Sequence, residues 1–146
     1  MNPHLRHFNT PDNDGSNYSS AILVGGLIFT AGQLGISPSG DPTSFEDQAK
    51  RALETLISVV EAMGGSQDTI VKINGYIADV AFFPTYHEVY RSVFRTSPRP
   101  VRTTVQVGRF EAPILVEVDG IATVASSGPS VCLDHGSAAT SRGFAG

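Results

Sequence analysis

The chain has 146 residues, 40% of them hydrophobic and 16% charged, a size and balance that suit one soluble domain with a core of its own. Its 10 Lys and Arg against 14 Asp and Glu give a formal net charge of −4, which argues against an electrostatic nucleic-acid binder. One cysteine, Cys132, excludes an internal disulfide framework and points to a reducing cytoplasm; the start, Met1 to Asn9, has no apolar secretory core, and the most apolar run, Ala21 to Ala31, is too short to span a membrane.

In chain order, residues 1–17 read as polar loop, with Leu5 to Phe8 as a possible edge strand and Asp12-Asn13-Asp14-Gly15 as a turn. Tyr18 to Val24 and Leu27 to Gln33 are apolar, β-prone runs. Gly25-Gly26 between them spells a two-residue hairpin, because glycine tolerates positive φ. Gly32 reads as a bulge or as a point where a ligand approaches the backbone, with the bulge preferred. Residues 37–42 form a loop.

Ser44 to Met63 is the clearest helix. Ala49, Ala52, Leu53, Leu56, Val59, Val60 and Met63 repeat at helical spacing. Ser44 with Asp47 resembles a capping box, and Gly64-Gly65 stops the helix. Ile70 to Ala78 alternates as a strand. A second helix runs from Phe83 to about Phe94, with Pro84 in its first turn and Phe83, Tyr86, Tyr90, Val93 and Phe94 as its buried stripe.

Pro100 to Val107 and Ile114 to Asp119 alternate again. The short Gly108 to Pro113 segment between them predicts an antiparallel hairpin. A turn centred between Arg109 and Phe110 would set Arg102 opposite Glu117, with Cβ atoms roughly 5 Å apart. A guanidinium beside a carboxylate can hold an anionic substrate and activate water; the plainer reading is a cross-strand salt bridge. Residues 126–146 read as a flexible tail outside a folded domain of residues 1–125. Cys132 and His135 in that tail, and His4, His7 and His87 elsewhere, show no metal-ligand spacing.

The resulting order, β–β–α–β–α–β–β, predicts an α+β fold with two helices on one face of a single mixed sheet. Apolar residues on the other face predict a homo-oligomer.

Four stretches resemble the RidA family, also called YjgF-type proteins, over about Gly15 to Val124. Gly15-Ser16-Asn17-Tyr18-Ser19-Ser20-Ala21 is similar to the family's G-P-Y-S-x-A opening, and Leu27 to Gln33 to its L-I-Y-T-S-G-Q strand. Glu88-Val89-Tyr90 followed by Phe94 resembles its N-E-V-Y helix. Arg102 to Val107 followed by Val116 to Ala122 resembles its R-S-x-V-x-V … I-E-I-E-A-I-A ending. The resemblance implies a chorismate-mutase-like homotrimer with one site per subunit interface and neither metal nor organic cofactor. It also implies hydrolytic deamination of 2-iminopropanoate- or 2-iminobutanoate-type acids. In that setting Arg102 binds the substrate carboxylate, Glu117 handles the attacking water, Tyr18 lines the pocket, and Gly32 and Thr104 border it. The chain departs from the pattern at Asn17 for proline, Ala31 for serine, His87 for asparagine, and Thr104 for a frequent cysteine.

Three functions follow as expectations. The first is deamination of a small enamine or imine acid. The second is hydrolysis of a larger enamine of the 2-aminomuconate kind or of a biosynthetic intermediate, motivated by the hydroxyl missing at Ala31. The third is a non-catalytic trimer that binds small carboxylates, which would need Arg102 and not Glu117. The ribonuclease role described for some relatives finds little support in the acidic balance.

Overall fold

The computed structural model describes residues 5–13, 15–37, 39 and 43–125. The expected tail, with Cys132 and His135, lies outside them, as does Asp14 of the expected turn. Seven strands and two helices follow in order: β1 (Leu5–Phe8), β2 (Ala21–Val24), β3 (Leu27–Thr30), β4 (Gln33–Leu34), α1 (Phe45–Ala62), β5 (Ile70–Ile77), α2 (Phe83–Val93), β6 (Val101–Gln106) and β7 (Val116–Thr123). They form one mixed sheet in the order β1-β2-β3-β7-β5-β6, with β4 also paired to β7. Both helices lie on one face, as expected of an α+β fold.

The glycine hairpin forms: Gly25 and Gly26 take φ of 57° and 80°, and Val24 pairs with Leu27. In α1 the Ser44 Oγ accepts from the Asp47 N–H at 3.1 Å and donates to the Asp47 carboxylate at 2.8 Å, so Asp47 holds the cap side chain, where the longer Glu of a full capping box would reach the backbone. The α1 stripe then buries Ala49, Ala52, Leu53, Leu56, Val59 and Val60 against Ile28, Ile73, Val116, Val118 and Ala122 of the sheet. The Leu, Ile and Val side chains among these contribute roughly 1.5–3 kcal/mol each on burial, the alanines less. The stripe of α2 differs from expectation at one end. Tyr86, Val89 and Tyr90 are buried, whereas Phe83 is 40% exposed because it sits at the helix start beyond the sheet edge.

The expected hairpin between Pro100–Val107 and Ile114–Asp119 does not form. β6 pairs in parallel with β5 through the α2 crossover, and β7 pairs antiparallel with the other side of β5. One whole strand therefore separates the two segments. The intervening residues wrap the end of β5, where the Val107 N–H donates to the Ile77 carbonyl at 3.0 Å and the Ala78 N–H to the Leu115 carbonyl at 2.9 Å. Gln48 fixes that wrap from below. Fully buried on α1, it donates to the Pro113 carbonyl and accepts from the Leu115 N–H, each at 2.9 Å. The strand end that carries Glu117 is thereby tied to the helix.

The second face of the sheet is uncovered among the described residues of a single chain. It exposes Leu27, Phe29, Val101 and Val105, with Val101 at 64%, and this is the apolar surface on which the expectation of a homo-oligomer rests.

Candidate functional site

Strand register decides where each candidate side chain points, since neighbours along a strand alternate faces. Arg102 is opposite Ile73 and Thr104 is opposite Gly75, so both rise on the helix-covered face with the buried residues Ile73 and Gly75. Glu117 is opposite Tyr76, out of phase with the buried Val116 and Val118, so it rises on the uncovered face. Arg102 and Glu117 thus stand on opposite sides of the sheet with β5 between them. The expected convergence within one chain is corrected, and so is the cross-strand salt bridge.

On the helix face, Arg102 is held by rings. Its guanidinium carbon lies 4.8 Å from the ring centre of Tyr90, 5.4 Å from Tyr86 and 5.7 Å from Phe83, within range for attraction between a cation and an aromatic face. Tyr90 is itself anchored, donating to the Pro100 carbonyl at 3.1 Å just ahead of β6. The Arg102 Nη2 lies 3.4 Å from His87 Nδ1. A guanidinium only donates, so this contact uses the imidazole lone pair. Arg102 meets no carboxylate; the one ion pair among the described residues joins Arg91 and Glu88 at 3.7 Å. Rings orient the fork without consuming its hydrogen-bonding edge, which leaves it available to an anion.

Beneath the guanidinium, the Tyr86 and Thr104 hydroxyls are buried without hydrogen-bond partners among the described residues. Gly75 makes room for the first: a Cβ there would stand 2.6 Å from the Tyr86 hydroxyl oxygen.

On the uncovered face, Glu117 is half-buried and makes no hydrogen bond among the described residues. Burial pushes its carboxyl above the usual carboxylate range, and the negative charge of Asp119 adds to the rise. Gly32 lies directly against it: a Cβ on Gly32 would overlap the Glu117 carboxylate. The preferred bulge reading fits the register, since residues 30–32 oppose only residues 119–120 between the pairs Phe29–Ile121 and Gln33–Val118, and the group that approaches the Gly32 backbone is the Glu117 side chain. Tyr18 is 60% exposed and lines, with Ala31 and Gly32, an open recess of about 810 Å³ bounded also by Arg51 and Ser58 of α1. Glu117 is not among the residues of that recess. A larger groove of about 980 Å³ runs between the helices past Lys50, Glu54, Glu88 and Arg95. It contains none of the candidate residues, so size alone does not mark the chemistry.

The structure therefore groups Tyr18 with Gly32 at the recess, sets Glu117 against Gly32, and groups Arg102 with Thr104 elsewhere. Sequence reasoning placed Tyr86 and Tyr90 in the core and missed that they also carry Arg102. The signal was their spacing at i and i+4 beside His87. The alternation that put Leu115, Glu117 and Asp119 on one face of the strand holds, although Asp119 was given no role. Among the described residues no group of three His, Cys, Asp or Glu could hold a metal ion, and no helix is long and apolar enough to cross a membrane.

This arrangement has known counterparts. The family profile described as Endoribonuclease L-PSP matches residues 11–124. A RutC family protein of Pyrococcus abyssi is 37% identical over 111 residues, covering 72% of this chain and 84% of its own. Reactive Intermediate Deaminase A of Arabidopsis thaliana is 34% identical over 110 residues, 73% of this chain and 58% of its own. The crystal structure of Escherichia coli TdcF with bound serine superposes with a TM-score of 0.69 at 31% identity, covering 82% of this chain and 94% of that one. RidA from Psychrobacter sp. PAMC 21119 gives 0.68 at 32%, covering 75% and 89%. With a matching profile across the domain and relatives above 30% identity along most of their length, the chain belongs to the Endoribonuclease L-PSP family, the YjgF or RidA family.

Proposed function

We propose that the protein is a deaminase that hydrolyses reactive enamine or imine acids to ketoacids and ammonia, in a site completed by a second copy of the chain. The observation that carries this reading is the pair of unspent groups on opposite faces: a ring-held guanidinium without an acid and a carboxylate without a donor. Each is poor at the chemistry alone, and a homotrimer would set the Arg102 face of one copy against the Glu117 face of the next. The names of the Arabidopsis relative and of Escherichia coli TdcF, both reactive intermediate deaminases by name, support the reaction class, and the serine in TdcF is an amino acid held by a relative.

In the proposed reaction the enamine tautomerises to its imine, and Arg102 holds the carboxylate through two parallel N–H donors. Glu117 takes a proton from water as the oxygen bonds to the C=N carbon. It returns that proton to nitrogen, giving a carbinolamine; it then carries the hydroxyl proton to the same nitrogen as the C=O bond forms and the C–N bond breaks, and ketoacid and ammonia leave. Proton transfer of this kind contributes roughly 10²–10⁴-fold. Tyr18 and Gly32 wall the acid's side of the cavity, and Thr104 the arginine's side. No step calls for a metal or an organic cofactor.

A second reading, a larger enamine substrate, is favoured by Ala31, which lines the 810 Å³ recess and lacks the hydroxyl of the family's usual serine. The test generates 2-aminoacrylate with a dehydratase and follows ketoacid appearance, beside a larger enamine. Wild type should exceed buffer and Arg102→Ala should equal it. Equal rates for wild type, Arg102→Ala and buffer on both substrates would end the deaminase assignment.

A further inference from the structure

Asp119 shares the uncovered face with Glu117, two residues along β7, which puts the two acids about 7 Å apart along the strand. Both of its oxygens are taken. Asn74 Nδ2 donates to Oδ1 at 2.8 Å, and the Tyr76 hydroxyl donates to Oδ2 at 2.8 Å. The second bond is a diagonal. Tyr76 is the register partner of Glu117, and Asn74 that of Asp119. The hydroxyl that stands across from Glu117 is thus directed away to its neighbour. A phenol has one proton to give, so Glu117 receives none from the strand beside it.

We propose that the Asn74–Asp119–Tyr76 cluster is a positioning device for Glu117: it withdraws the nearest donors, fixes a negative charge beside it, and so keeps it a free base. The inference rests on the reading of Glu117 as the group that activates water. The surroundings of Glu117 leave Asp119 as the source of the effect. β5 presents Tyr76 and Asn74, both neutral, with Lys72 beyond them next to Ile121; β4 presents Leu34; the preceding loop presents the Gly32 backbone. Arg102 is on the other side of the sheet of the same chain. The direction of the Glu117 shift agrees with this geometry, burial first and Asp119 second, and Tyr76 is itself held in its protonated form, mainly by its bond to Asp119.

The test follows the side-chain carboxyl carbon of Glu117 by NMR in the assembled, glutamate-labelled protein, with its resonance identified by its loss in Glu117→Gln. The wild-type midpoint in the assembly is the reference. Asp119→Asn and Asp119→Ser should lower it by about half a pH unit, roughly a threefold loss in proton affinity. Asp119→Glu, which restores the charge, should keep it raised. The low-pH limb of deaminase turnover should move with the midpoint in each variant. Any contact from a neighbouring copy is common to all variants and cancels in the comparison. A folded Asp119→Asn or Asp119→Ser that leaves the midpoint unmoved overturns the proposal. A shifted midpoint in a protein that produces no ketoacid would uphold this proposal and sink the deaminase reading; an unmoved midpoint with full turnover does the reverse.

Discussion

The two faces of the sheet treat charge in opposite ways. On the helix side, Arg102 is surrounded by three rings and an imidazole, all of which orient a cation without neutralising it. On the open side, Glu117 is crowded by a backbone, partly withdrawn from water and placed near a second acid, all of which make it want a proton. One environment prepares a binder and the other a base. Because β5 stands between them, the proposed division of labour would also be a division between chains, since within one protomer the two groups do not meet.

The sharpest way to break this comparison is to damage the halves separately. Arg102→Ala and Glu117→Gln should each lower turnover by at least about 10²-fold. If the halves belong to different copies, refolding the two variants together should rebuild about a quarter of the sites by random assortment in a ring of identical interfaces. Mixed samples that stay as inactive as either parent would show that one chain supplies both groups.

Next in size is Gly32→Ala. Its methyl lands on the Glu117 carboxylate, so kcat should fall about 10–100-fold through misplacement of the acid. Affinity for a ketoacid, measured by calorimetry, should stay close to wild type because the Arg102 face is untouched. Tyr90→Leu attacks the other face. It removes the ring nearest the guanidinium and the bond to the Pro100 carbonyl, and should raise KM about fivefold, equivalent to roughly 1 kcal/mol, with kcat little changed. Tyr90→Phe keeps the ring and should recover most of that loss.

How much of this was legible in the sequence differs between elements and their pairing. Alternation in Ile70 to Ile77, Val101 to Gln106 and Val116 to Thr123, and the stripe from Ala49 to Val60, gave strands and a helix that the structure keeps. Alternation says which residues share a face; it does not say which strand is next door. The short Gly108 to Pro113 segment looked like a turn between partners, yet it crosses the end of β5, and only the α2 crossover, a long-range contact, reveals that. That single error of neighbour turned Arg102 and Glu117 from facing residues into residues on opposite faces. Their identity as the chemistry-bearing pair came from the resemblance, and register alone could not have supplied it.

The smallest expected effect is on stability. The Glu117 carboxyl sits above its usual range, so the folded chain holds that proton better than the unfolded one. The resulting stability is present below the unfolded value, near 4.3, and is lost as pH rises through the folded one. Glu117→Gln should therefore raise Tm by about 1–2 °C at pH 7, a modest figure because the group is partly solvated. The gain should vanish near pH 4. Differential scanning calorimetry at the two pH values checks it, and a loss at neutral pH would place a cation against this acid.

The fit of Tyr86 over Gly75 has an evolutionary corollary. The strand position cannot accept even a methyl while the phenol occupies that space, and a smaller side chain at position 86 would leave a hollow beneath the anchor of the binding face. Descendants that remodel this wall must change the helix before the strand, so the route by which the lineage can explore new substrates has a fixed order of steps.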